Sequence, residues 1–342
     1  MSQDILIRVE GRAGRITLNR PQALNALTYD MLRAIEDAVD AWAVEDAIDL
    51  VIIDAAGDKA FAAGGDIVDL YRTGRAGDFA FGRQFWADEY RLNAKIARYP
   101  KPYIALMQGF VMGGGVGVSC HGSHRVVDES AQIAMPECSI GLIPDVGGSR
   151  LLALAPEQMG IYLGLTGTRM DAGDAIFAGF ADSFVPRARW VDLIAALCAS
   201  GDAGKVANFA ESPPGSRLHN APEINDWFLA DTASGILAEL ETRETENAGK
   251  VAATLRKQCP LSVACALQAI RNAREMTVKQ ALAQEYRFVW RCMEEGEFLE
   301  GIRAAVIDKD RNPRWARPRL EDIQAEDVAH MLSPPPGGDL TF

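Results

Sequence analysis

Ile5, Ile7 and Val9 alternate with polar residues, a Gly/Arg turn follows, and Ile16 and Leu18 resume the alternation. A period of two on both sides of a turn predicts a β-hairpin. The period then lengthens: Leu32, Ile35, Val39 and Trp42 fall at helical spacing behind Thr28, whose hydroxyl suits a helix start, so a helix is expected through residue 43. Leu50 to Ile53 is a continuous apolar run, the pattern of a strand buried on both faces. After it KAFAAGGDI (59–67) reads as a glycine turn leading into a helix start, a longer helix is expected from Phe81 to Arg98, and Tyr103 to Met107 is another apolar strand. Strands and helices joined by short connections make this half α/β.

Helical spacing dominates from Arg150 onward, beginning with LLALAPEQMGIYLGL. Asp171 is placed to cap a helix ending near Gly179, and Val185 is expected in a last short strand. From Gly201 to Glu223, a stretch containing ESPPGSRLHNAPE, Pro, Gly and Ser interrupt every period, which makes it the candidate linker. Beyond it Pro260 opens a helix with Val263, Leu267 and Ile270 on one face, and Val278, Leu282, Tyr286 and Val289 stripe the next. The expected division is an α/β core over 1–205 and a helical C-terminal region over 206–342. The tail MLSPPPGGDLTF has too much Pro and Gly for a packed helix and is expected to be loosely held.

Residues 109–148 stand apart from these patterns. Gly113, Gly114 and Gly115 follow the strand at Tyr103 and precede VGVSC, a combination that exposes backbone N–H groups at the start of a buried helix. Glu137 and Asp145 lie in MPECSIGLIPDVGG among Met, Pro, Ile, Leu and Val, a poor setting for solvated charge. Glycine triplets also serve as plain turns, and such carboxylates also cap helices or pair with Arg. A second glycine-rich segment after a strand, KAFAAGGDI, weighs toward a functional site.

Composition narrows the classes further. With 342 residues, 48% of them hydrophobic, the chain can build one large domain or two smaller ones. A formal charge of −12 argues against nucleic acid or an anionic membrane surface as partner. Six cysteines without CxxC spacing signal neither zinc nor a disulfide framework, and four scattered histidines offer no metal cluster. Pro102 to Cys120 lacks charge but holds five glycines, so a buried strand-turn-helix is expected rather than a membrane span. MSQDILIRVEG has neither signal-peptide nor transit-peptide character, and a cytoplasmic protein is expected.

KAFAAGGDI, then GFVMGGGVG some fifty residues on, then MPECSIGLIPDVGG together resemble the crotonase (enoyl-CoA hydratase/isomerase) superfamily, as does the opening ITLNRPQALNALT. The resemblance spans nearly the whole chain. It implies a crotonase-like spiral of β-β-α units, an acyl-CoA substrate with no separate cofactor, and a homo-oligomer, a trimer or hexamer. It also implies roles for single residues: Gly65 and Gly114 as oxyanion-hole donors, Glu137 as principal catalytic carboxylate with Asp145 its partner, Glu89 as a substrate contact, and Gly65, Asp66 and Ile67 along the CoA site. Asp66 reads equally as a helix cap, and Glu89 is the weakest of the three carboxylates, since a helical Glu is usually solvated. Hydratases of the superfamily carry a second catalytic Glu three residues after the middle glycine of GGG, and here that position is Gly117. The resemblance therefore points to a thioester hydrolase, with Glu137 as base or as nucleophile. Hydration of a short enoyl-CoA, and a non-catalytic CoA-binding pseudoenzyme, are the alternatives. A serine hydrolase built on Ser119 with His121 or His124 fails, because GxSxG is absent there. A dinucleotide fold fails on EGRAGR, which reads as a hairpin turn.

Overall fold

A computed structural model describes residues 3–342, which divide by packing into two compact units interleaved in sequence. The first unit takes the chain through Gly65, then Arg91–Ala134 and Arg169–Asn220. The second takes Asp66–Tyr90, Met135–Thr168 and Ala221–Phe342.

Among the described residues all nine strands lie in the first unit: β1 (Ile5–Glu10), β2 (Ala13–Leu18), β3 (Leu50–Ala55), β4 (Ala60–Ala63), β5 (Tyr103–Met107), β6 (Phe110–Met112), β7 (His124–Val127), β8 (Gln132–Ala134) and β9 (Ser183–Phe184). They form a six-stranded sheet ordered β1-β2-β3-β5-β7-β9 and a three-stranded sheet ordered β4-β6-β8. Among the strand pairs of the described residues, β1–β2 is antiparallel and the other six are parallel. Each of the pairs β3/β4, β5/β6 and β7/β8 places one strand in each sheet, and in chain order each pair is followed by helix. After β4 come α2 (Val68–Arg75) and α3 (Ala80–Ile96), after β6 comes α4 (Gly114–Ser119), and after β8 the 3-10 turn Glu137–Ile140. This is the expected β-β-α succession in an α/β chain.

The apolar patterns explain the packing. Every residue of β3 is buried, and Leu50 and Ile52 join Ile104, Leu106 and Val126 beneath the helix Trp190–Ser200. Helix α1 (Tyr29–Ala43) starts at Thr28, whose side chain accepts from the Met31 amide, and buries Leu32, Ile35, Val39 and Trp42. The Trp42 ring packs on Gly14 of β2, where a Cβ would meet it at 2.3 Å. Helix α4 buries all six of its residues, so the uncharged run from Pro102 is a strand-turn-helix, as expected. Among the described residues no helix is long and apolar enough to cross a membrane.

The second unit is helical around Pro260–Ala273, which packs on the helices Gly148–Leu154 (α5), Met159–Thr166 and Val278–Cys292. The change from the first unit to the second after Asn220 falls within the candidate linker from Gly201 to Glu223. That stretch is also held down: it forms the 3-10 helix Ala203–Asn208, and the buried Asp174 carboxylate accepts from Ser216 Oγ, the Leu218 amide and the Arg217 guanidinium. The tail, expected to be loosely held, is held as well. Arg287 pairs with Asp339, Arg291 donates to the carbonyls of Ser333 and Pro334, and Leu340 is buried. Sequence periodicity misses both because polar side chains, not apolar stripes, make these attachments.

Candidate active site

In the first unit the two glycine segments leave adjacent parallel strands in register. Ala63 of β4 pairs with Met112 of β6, and Gly65 and Gly114 each lie two residues beyond that pair. The carboxyl ends of parallel strands are where such sheets place ligand contacts. Gly114 is the first residue of α4, so its N–H is among the donors that no helical carbonyl can reach. Gly65 forms a bridge with Leu27, carried by the bond from the Leu27 amide to the Gly64 carbonyl at 2.9 Å. Glycine is required around both points. Gly64 and Gly113 have φ of +103° and +48°, and a Cβ on Gly115 would stand 2.5 Å from the Ala62 carbonyl oxygen.

Asp66 and Ile67 open the second unit's α2. Ile67 is the N-cap and its side chain makes no cap bond, while Asp66 Oδ1 accepts from the Val68 amide at a long 3.4 Å. The cap reading of Asp66 thus has a weak contact behind it.

The carboxylates gather in the second unit. Glu89 on α3, Glu137 at the head of its 3-10 turn and Asp145 before α5 are 3%, 4% and 4% exposed. No ion pair among the described residues reaches any of them. Burial, and then the charge of Asp145, hold the carboxyls of Glu89 and Glu137 well above the ordinary range. Burial raises Asp145 to about 7, opposed by the hydrogen bond from the Tyr90 hydroxyl at 2.7 Å. Glu89 Oε1 and Glu137 Oε2 are buried without a hydrogen-bond partner. A buried acceptor without a donor is costly, and such atoms mark places built to receive something else. The solvated-helix alternative for Glu89 is therefore set aside.

Local backbone explains the placement. Glu137 begins a turn ended by Gly141 at φ +77°, where a Cβ would meet the Glu297 backbone at 2.6 Å. Asp145 begins a tight turn closed by the bond from Gly148 N to Asp145 O at 2.6 Å, with φ of +53° at Val146 and +80° at Gly147. A β-branched residue in that region is strained by about 1–3 kcal/mol and needs surrounding support. Part of that support is Glu285, fully buried, which accepts from the Gly147 amide at 2.7 Å, from the Ser149 amide at 3.0 Å and from the Ser149 hydroxyl. Burial pushes Glu285 up to about 8 against these bonds. Sequence reading missed Tyr90 and Glu285. A signal existed for Glu285, which falls between Leu282 and Val289 on an otherwise apolar stripe.

A buried carboxyl near neutrality, as Asp145 is, can exchange protons at physiological pH, and backbone donors suit a developing oxyanion. Comparison with known proteins gives the family. Residues 13–332 match the family model described as enoyl-CoA hydratase/isomerase. The chain is 37% identical to the mitochondrial 3-hydroxyisobutyryl-CoA hydrolase of Gallus gallus, over 98% of this chain and 90% of that one. Two solved structures each superpose with a TM-score of 0.95. One is described as an enoyl-CoA hydratase from Rhodobacter sphaeroides, 50% identical over 99% of this chain and 100% of that one. The other, a carnitinyl-CoA dehydratase from Mycobacterium thermoresistibile, is 39% identical over 100% and 99%. The expectation of a cytoplasmic location is overturned by these names, since the Gallus relative and its vertebrate counterparts are mitochondrial enzymes. Motifs, strand succession and full-length likeness converge: the chain belongs to the enoyl-CoA hydratase/isomerase family, with the crotonase fold.

Proposed function

We propose that the protein hydrolyses 3-hydroxyisobutyryl-CoA to 3-hydroxyisobutyrate and CoA, a step of valine degradation. The observation that carries this reading is the buried carboxyl group of Glu137, with one oxygen unpartnered and its proton affinity raised by burial and then by the charge of Asp145, in a chain whose curated relatives are named for that hydrolysis. Glu137 draws a proton from water, and the hydroxide adds to the thioester carbonyl. The carbonyl oxygen takes the negative charge and accepts from the N–H groups of Gly65 and Gly114, for which about 3–4 kcal/mol per donor is usual. The tetrahedral species collapses, the C–S bond breaks, and the proton passes to the leaving sulfur. Direct attack by Glu137 gives an acyl-enzyme anhydride instead. Label left in Glu137 after a single turnover in H₂¹⁸O identifies the anhydride route, with water adding at the Glu137 carbonyl and the acid leaving. Glu89, and Asp66 with Ile67, are assigned to substrate and CoA contacts.

The family's description and the name of the Rhodobacter protein favour a second reading, hydration of a short enoyl-CoA. Against it, Gly117 lies buried in α4 and supplies no carboxylate where hydratases of the family hold their second Glu. The test is free-thiol release from 3-hydroxyisobutyryl-CoA, expected as the faster reaction, beside hydration of crotonyl-CoA.

A further inference from the structure

We infer that Glu285 is a positioning residue for Asp145: its carboxylate fixes the strained Asp145–Gly148 turn, and the same helix braces the tyrosine that hydrogen-bonds to Asp145. The inference rests on the hydrolase reading for the reaction it serves. The helix Val278–Cys292 buries Leu282, Glu285, Phe288 and Val289 together, so an apolar residue would fill position 285 at less cost than a carboxyl with no exposure. What the carboxyl gains is a two-point hold. Oε2 receives the Gly147 amide and Oε1 the Ser149 amide and hydroxyl, so the peptide units following Asp145 are held from one rigid group. Those are the units whose conformation is unfavourable, with Val146 and Gly147 at positive φ. Beside Glu285 on the helix, Tyr286 meets the Tyr90 ring edge-on, centroids 6.4 Å apart at 78°, and its hydroxyl donates to the Arg83 carbonyl. Tyr90 in turn donates to Asp145 Oδ2. One helix thus holds Asp145 at its backbone through Glu285 and at its carboxyl through Tyr286 and Tyr90.

A purely structural role, capping α5, would cost stability and leave turnover per folded molecule alone. The test compares Glu285→Gln with Thr277→Ala, which removes a capping box at the start of the same helix and matches it as a stability control. Expected for Glu285→Gln is a kcat about tenfold or more below wild type, the order that small misplacements of reacting groups produce, with KM within about threefold. Thr277→Ala should lose melting temperature but keep kcat. A kcat for folded Glu285→Gln equal to wild type overturns the inference. If Glu285→Gln does not fold, Ser149→Ala decides: a lowered kcat at unchanged KM supports the positioning role, and an unchanged kcat overturns it. The ratios are taken in whichever reaction the wild type performs, thiol release or crotonyl-CoA hydration. Absence of thiol release in the wild type refutes the hydrolase reading alone.

Discussion

Asp145 carries a measurable signature of its burial. Its folded pKa is about 7 against 3.8 for the free side chain, so between those values the folded chain keeps a proton that the unfolded chain releases. Stability from this group is fully present below about pH 4 and is lost as pH rises to about 7, with a ceiling on the order of 4 kcal/mol. Asp145→Asn should flatten that part of the curve; urea unfolding at pH 4 to 8 measures it, and parallel wild-type and variant curves would refute the shift. Glu137→Gln removes the base and the nucleophile at once, and kcat should fall by about 10²- to 10⁴-fold while CoA binding persists. Steady-state kinetics beside calorimetric titration with CoA checks both halves. Glu137 and Asp145 were visible in the sequence because apolar neighbours surround them in the chain itself. Tyr90 was not, since its meaning comes from a carboxylate 55 residues away.

The turn bearing Glu137 depends on a neighbouring element. Gly301, in the helix Phe298–Ile302, faces the Ile140 carbonyl so closely that a Cβ would stand 2.0 Å from its oxygen. Backbone cannot yield as a flexible side chain does, so Gly301→Ala should destabilise by about 1–3 kcal/mol and lower turnover by displacing the turn. Thermal unfolding and kinetics on the same sample test it; wild-type values in both would show that the turn tolerates the push. The long helices and the buried β3 were legible because each repeats its period several times. The strands β4, β6, β7 and β8, three or four residues each, were not, since no alternation develops over that length and most of their residues are buried.

Over the whole molecule, each compact unit gathers segments distant in sequence, a feature that no composition shift announces. The family resemblance supplied the succession of strands and the candidate site residues; the carboxyl cluster's proton affinities and the Glu285 hold came only from packing. A homo-oligomer is expected, and light scattering returning only the 37.1 kDa chain mass would exclude it. Reaction type remains the central claim. The most direct measurement follows one enzyme preparation with two substrates at equal concentration, recording thiol release from 3-hydroxyisobutyryl-CoA and loss of the crotonyl-CoA double bond. Thiol release should exceed hydration by a wide margin and vanish in Glu137→Gln. Hydration faster than thiol release would contradict the hydrolase assignment, and would mean that Glu137 adds water to a double bond without a carboxylate at position 117.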